Sequence, residues 1–251
     1  MSALETERLK CIVGYDGTPF RGWQSQEKGN TIQDLLTDAF RRVTGRVLTV
    51  NGAGRTDAGV HAVEQCIHVD VQRGRIPLEK WPLALNAHLP PEIRVVRCEL
   101  AMSNFHARFS AIGKVYQYRI WNDRVHSPFE LRRSWQIPKR LDLAAMEKAA
   151  RLLIGTHDFA GFAANRGTPP PDTVRTIRAI EISEKFPLIT LTYEGDGFLY
   201  KMVRLLTGTI VRIGQGKDDG NFIEKLLRSP ASEKTPYCAP AEGLYLLRVI
   251  Y

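Results

Sequence analysis

The sequence predicts an α/β (α+β) fold of two ferredoxin-like, RRM-like halves, residues 1–108 and 109–251. Predicted strands and helices run in the order β-α-β-β-α-β, and that order then recurs. Size agrees, because 251 residues suffice for one large domain or two modest ones, each with a core.

In the first half, Leu9 to Tyr15 alternates weakly and stops at Asp16-Gly17, as a strand entering a turn does. Thr31, with Asp34 three residues later, caps a predicted helix whose Ile32, Leu35, Leu36, Ala39, Phe40 and Val43 keep helical spacing. Arg46 to Asn51 reads as a strand leading into a glycine-rich loop, and Val63, Ile67, Val69 and Val71 mark the strand leaving it. Pro77 opens a predicted helix to about His88, followed by Pro90-Pro91 and an extended segment, Glu92 to Leu100. The second half repeats the order. Lys114 to Trp121 is a strand, Asp142 to Leu153 a helix, and Thr176 to Ser183 and Leu188 to Glu194 a strand pair. Phe198 to Ile213 is a long helix and Gly243 to Tyr251 the last strand. The connections Asn122 to Arg140 and Gly155 to Arg175, the second with Pro169-Pro170-Pro171, have the length of binding elements. Two such open-faced halves side by side would leave a basic cleft between them.

A formal charge of +8 and a pI near 9.4 favour a polyanionic partner, RNA or DNA before a membrane. Four dispersed cysteines without a Cys-x-x-Cys pair argue against a zinc knuckle or a disulfide scaffold and for a reduced, cytoplasmic protein. The first ten residues lack an apolar leader, and no run is long enough to span a membrane.

Chemistry concentrates in Asn51-Gly-Ala-Gly-Arg-Thr-Asp-Ala-Gly-Val-His-Ala62. Its glycines permit positive φ angles that would bring Arg55 and Asp57 to a ligand, although a plain turn with Asp57 on backbone amides is equally compatible. Tyr116, Tyr118 and Ile120 share one strand face, able to stack on an unpaired base or to fill a core. On the Phe198–Ile213 helix, Lys201, Arg204, Gly208 and Arg212 share the side opposite the apolar stripe. There Arg204 is a surface charge or a cation offered to a carboxylate or phosphate, and Gly208 admits a closely approaching segment. No His-x-x-x-His pair, serine elbow, Walker loop or complete dinucleotide fingerprint is present, so metal-free, cofactor-free chemistry is the economical reading.

Six stretches resemble the TruA-type tRNA pseudouridine synthases, in that family's order: Tyr15-Asp-Gly-Thr-Pro-Phe-Arg-Gly-Trp-Gln24, Gly54-Arg-Thr-Asp-Ala-Gly-Val-His-Ala62, Leu85-Asn-Ala-His-Leu-Pro90, Phe105-His-Ala-Arg-Phe-Ser-Ala111 with Lys114-Val-Tyr-Gln-Tyr118, Gly197-Phe-Leu-Tyr-Lys-Met-Val-Arg204, and Ala239-Pro-Ala-Glu-Gly-Leu-Tyr-Leu246. The resemblance implies isomerisation of uridine to pseudouridine in the anticodon stem-loop of tRNA by a cofactor-free homodimer, with two halves about a pseudo-twofold. It makes Asp57 the catalytic aspartate, Tyr116 the tyrosine packed on the target base, and Arg204 the aspartate's arginine partner. Arg55 becomes a nucleotide clamp and Leu244 an apolar contact to the base. Arg21, Trp23, Gln24, His61 and Lys201 are further candidates for RNA contact. Two positions depart from the pattern: Gly161 stands where many relatives carry serine, and Lys201 where asparagine or histidine is frequent. The competing expectations are an RNA-binding module without activity and a nucleoside hydrolase using Asp57.

Overall fold

Chain entry into the structure is a ten-residue strand, β1 (Thr6–Tyr15), in a computed structural model that describes residues 5–164, 172–230 and 233–251. Next come α1 (Ile32–Thr44), the short β2 (Asn51–Gly52) and β3 (His61–Gln72). A 3-10 turn, Leu78–Lys80, leads into α2 (Trp81–Asn86), and β4 (Ile93–Ala101) follows. The remaining elements are β5 (Gly113–Trp121), β6 (Trp135–Gln136), α3 (Leu143–Leu152), β7 (Gly155–Asp158), β8 (Val174–Lys185), β9 (Leu188–Gly195), α4 (Met202–Gly214), α5 (Gly220–Arg228) and β10 (Leu244–Ile250).

The chain divides into two units: Met1–Ile112 with Leu246–Tyr251, and Gly113–Tyr245. The division lies past the expected 108/109 cut and is not a single cut, because the last strand returns to the first unit. In that unit β4-β1-β3-β2 is the strand order, the arrangement a ferredoxin-like β-α-β-β-α-β chain adopts, and β10 neighbours β3. β1 runs antiparallel to both neighbours, with Leu9 opposite Val69 and Cys11 opposite Cys98. Leu9, Cys11, Val13, Ile67 and Val69 are buried, and α1 and α2 meet through Phe40 and Trp81, whose ring centroids are 6.0 Å apart.

Local signals set α1 as expected. Thr31 accepts the Asp34 N–H and bonds the Asp34 carboxylate, and Gly45 ends the helix in the left-handed conformation (φ 72°). The expected strand from Arg46 shrinks to Asn51–Gly52, and ahead of it the Val50 carbonyl accepts from Gln33 Nε2 of α1. The expected helix from Pro77 to His88 is shorter, because Pro82 leaves a missing donor and Asn86 turns its carboxamide to the N–H and C=O of Val95 in β4.

A buried His68 carries a pH dependence. Its ring lies 4.6 Å from that of His106 and its Nδ1 accepts the Ala107 N–H. Burial first, then the positive charges of His106 and Arg8, against a smaller opposite pull from Asp70, push its pKa down to about 4. In the unfolded chain histidine titrates near 6.5, so the unfolded state binds more protons between those values and stability falls as pH drops from about 6.5 to about 4. A thermal melt series should show that fall, and His68→Gln should flatten it; equal slopes in both proteins would contradict the assignment.

The second unit has the order β5-β9-β8-β7, with β6 parallel to β5. Asp142 caps α3 by accepting the Ala145 N–H at 2.9 Å. Three differences from expectation stand out. The helix after Asp196-Gly197 begins at Met202 and not Phe198, because Lys201 is left-handed (φ 59°). The helix α5, capped by Asp219 and burying Ile223 and Leu226, was not anticipated. The long connection after Leu153 contains β7, whereas Pro169-Pro170-Pro171 lies outside the described residues. Among the described residues no helix is long and apolar enough to cross a membrane.

Candidate active site

In the first unit, the loop from β2 to β3 carries Arg55, exposed, and Asp57, half-buried. Asp57 opens a tight turn that Val60 N–H closes onto the Asp57 carbonyl at 3.1 Å, with Gly59 left-handed (φ 79°) at its third position. Gly52 serves differently from the expected positive φ: a Cβ there would meet the Trp23 indole at 2.4 Å. The indole therefore lies on backbone, 3 % exposed.

The loop from β1 to α1 is built onto this turn. Trp23 N–H donates to the Thr56 carbonyl at 3.0 Å, and a Cβ on Gly22 (φ 90°) would approach that same oxygen to 2.8 Å. A Cβ on Gly17 would reach the Val60 carbonyl oxygen at 2.0 Å. Tyr15 and Thr56 share a hydroxyl hydrogen bond of 2.8 Å, and Gln65 Nε2 donates to the Gly54 carbonyl at 2.9 Å. Burial pushes the Tyr15 pKa up to about 12, with the Thr56 hydroxyl and the Gln65 side chain pulling it partly back. The tyrosine is neutral at working pH.

Two RNA-contact candidates occupy different places from those expected. Trp23 is sandwiched against Gly52, and His61, 2 % exposed, accepts the Gly17 N–H at 3.1 Å and lies 3.2 Å from Asp16. Neither ring offers a face to a base. Arg21 and Gln24 are exposed.

In the second unit, Tyr116 sits on β5 opposite Tyr193, 8 % exposed, with the Phe198 ring edge-on at 5.2 Å. The core reading holds for its neighbours on that face. Tyr118 and Ile120 are fully buried, and the Tyr118 hydroxyl donates to the Pro240 carbonyl at 2.7 Å. Arg204 is the third residue of α4. Its Nε donates to the Ala239 carbonyl at 2.8 Å while Ala239 N–H donates back to the Arg204 carbonyl at 3.0 Å. Gly208 makes this possible, since a Cβ there would meet the Tyr237 carbonyl oxygen at 2.1 Å. The expected close approach is thus of the segment Tyr237–Ala239. Beyond it a 3-10 turn, Ala241–Gly243, delivers Leu244, 7 % exposed. Lys201, half-buried, holds its left-handed conformation just ahead of α4. Gly161, the other departure, faces the Leu226 and Glu233 carbonyls, where a Cβ would come within 3.2 and 3.3 Å. A serine there needs both to yield.

Sequence reasoning missed Tyr15, Thr56 and Gln65 as a group. Nothing local in the sequence marks them: Gln65 follows Glu64 in a strand that also holds His68, where another polar residue does not stand out.

A family model described as tRNA pseudouridine synthase matches residues 11–110 and 149–251, a span that holds Arg55, Asp57, Arg204 and Leu244. The chain is 43% identical to tRNA pseudouridine synthase A of Akkermansia muciniphila over 97% of this chain and 95% of that protein. It is 42% identical to the proteins of the same name from Geobacillus kaustophilus, over 98% and 95% of the two chains, and Bacillus licheniformis, over 97% and 99%. The chain belongs to the tRNA pseudouridine synthase family.

Proposed function

We propose that the protein isomerises uridine to pseudouridine in the anticodon stem-loop of tRNA, as a cytoplasmic homodimer that needs no cofactor. The observation that carries this reading is the near full-length similarity to tRNA pseudouridine synthases, in a chain whose Asp57 stands on a turn fixed by backbone bonds.

The reaction breaks the bond from N1 to the ribose C1′, turns the held uracil, joins C5 to C1′, and exchanges the C5 proton for one on N1. Asp57 serves as nucleophile at C1′ or as base at the adjacent ribose carbon, and both routes end in loss of the C5 proton. Either role uses the carboxylate in its ionised form, and family resemblance gives Arg204 as its partner. Tyr116 packs on the base, Leu244 gives it an apolar contact and Arg55 clamps the extruded nucleotide. This compensates the few kcal/mol lost in leaving the stack. Arg21, Gln24 and Lys201 serve the backbone, and with a charge of +8 tRNA affinity should fall steeply with salt.

The test incubates the protein with tRNA tritiated at uridine C5 and counts label released to water, with a chemical map of pseudouridine on the product. Release with pseudouridine in the anticodon arm supports the reading. Binding without release marks an RNA-binding module, and free uracil with an abasic site marks a hydrolase; either sinks it.

A further inference from the structure

We propose that Tyr15, Thr56 and Gln65 are positioning residues, a buried hydrogen-bonded set that holds the catalytic turn so that Asp57 presents its carboxylate in one orientation. The inference rests on the function proposed above and adds to it three residues that touch no substrate.

All three side chains are nearly sealed from solvent: Tyr15 is 5 % exposed, Thr56 6 % and Gln65 0 %. Polar groups at such depth cost free energy unless bonded, and phenylalanine, valine and methionine would fill the same volumes without that cost. The bonds explain their presence. Tyr15 shares a 2.8 Å hydroxyl contact with Thr56, and Gln65 Nε2 reaches the Gly54 carbonyl at 2.9 Å. Gln65 Oε1 is buried with no hydrogen-bond partner among the described residues, and the Gln65 side chain lies against the Tyr15 hydroxyl. A phenol donates one proton. With the Thr56 hydroxyl donating to the phenol oxygen, that proton can turn toward the unsatisfied Gln65 Oε1 and link the Tyr15–Thr56 pair to the Gln65–Gly54 bond.

These bonds hold the Gly54 carbonyl and the Thr56 side chain, on either side of Arg55, and end one residue before Asp57. The peptide units flanking the Asp57 Cα are held as well, the Thr56 carbonyl by Trp23 N–H and the Asp57 carbonyl by Val60 N–H. With the neighbouring side chain and both adjoining carbonyls fixed, the direction of the Asp57 Cα–Cβ bond is set before substrate arrives. Reactions of this kind are sensitive to displacements of about 1 Å, which cost on the order of 100-fold in rate.

The experiment compares Tyr15→Phe, Thr56→Val, the double variant and Thr56→Ser, reading kcat and KM for tritium release from tRNA. It also reads backbone amide hydrogen exchange from Thr56 to Val60 in the free protein. Tyr15→Phe and Thr56→Val should each lower kcat roughly 10- to 100-fold with KM within about twofold, because phosphate contacts are untouched. Thr56→Ser keeps the hydroxyl and should stay within about threefold of native, and the double variant should be no slower than its slower parent. Exchange should accelerate at least about tenfold in the turn and stay unchanged in α3. Single variants within about twofold of native kcat, losses that multiply in the double, or unchanged exchange would each overturn the proposal. A native protein that releases no tritium defeats the functional reading alone, since the exchange arm still decides the positioning. If Thr56→Val fails to fold, Tyr15→Phe and Thr56→Ser carry the same comparison.

Discussion

Asp57→Asn should lower pseudouridine formation by at least about 10³-fold while leaving tRNA affinity within about threefold of native. The amide keeps the size of the carboxylate and loses the charge and the nucleophilic or basic oxygen. The turn should survive, since Asp57 takes part in its closure through the backbone carbonyl that Val60 N–H bonds. Affinity should survive because a single neutralised carboxylate leaves the phosphate contacts of a polycation in place. Tritium release measures the first quantity and a filter-binding isotherm at fixed salt the second. Full release from the variant would remove Asp57 from the chemistry.

Gly17→Ala should lower the thermal midpoint by roughly 6–12 °C, the equivalent of about 3 kcal/mol in a chain of this length. The added Cβ runs into the backbone of Val60: its carbonyl oxygen at 2.0 Å, its carbonyl carbon at 2.5 Å and its nitrogen at 3.1 Å. No side chain can rotate away, so the β1–α1 loop or the Asp57 turn must shift, and activity should fall with stability. Gly74→Ala is the control, with a left-handed φ of 66° and nothing within 4 Å, where only the conformational cost of about 1 kcal/mol applies. Differential scanning calorimetry separates the two. A Gly17→Ala midpoint as high as that of Gly74→Ala would show the loops free to part.

The features legible in the sequence are those whose causes are local or carried by a motif. Thr31 and Asp34 lie three residues apart, so the cap of α1 needs no knowledge of the rest of the chain. The Gly54–Ala62 motif made the family legible in the same way. The helix α4 was misread because Leu199 lies in spacing with Met202 and Val203, although the backbone breaks at Lys201. The clue lay in the asparagine and histidine frequent at that site, since both tolerate the left-handed region better than most residues. The fate of Trp23 was not legible. An aromatic beside an arginine in a loop resembles a base-stacking surface until Gly52, 29 positions on, proves to be the floor it rests on. Tyr15 with Thr56, and Gln65 with Gly54, are likewise pairs that exist only once β1 and β3 are side by side.

The return of Leu246–Tyr251 to the first unit bears on how the protein is made. The strand beside β3 comes from the far end of the chain, and Tyr251 closes over the unit, its hydroxyl donating to the Ala107 carbonyl and its ring receiving the Lys10 ammonium at 4.7 Å. Domains ordinarily fold in the order in which they leave the ribosome. Here the unit bearing Asp57 begins before the second unit and is completed after it, so a nascent chain carries the Asp57 turn on an unfinished sheet until translation has passed Leu246.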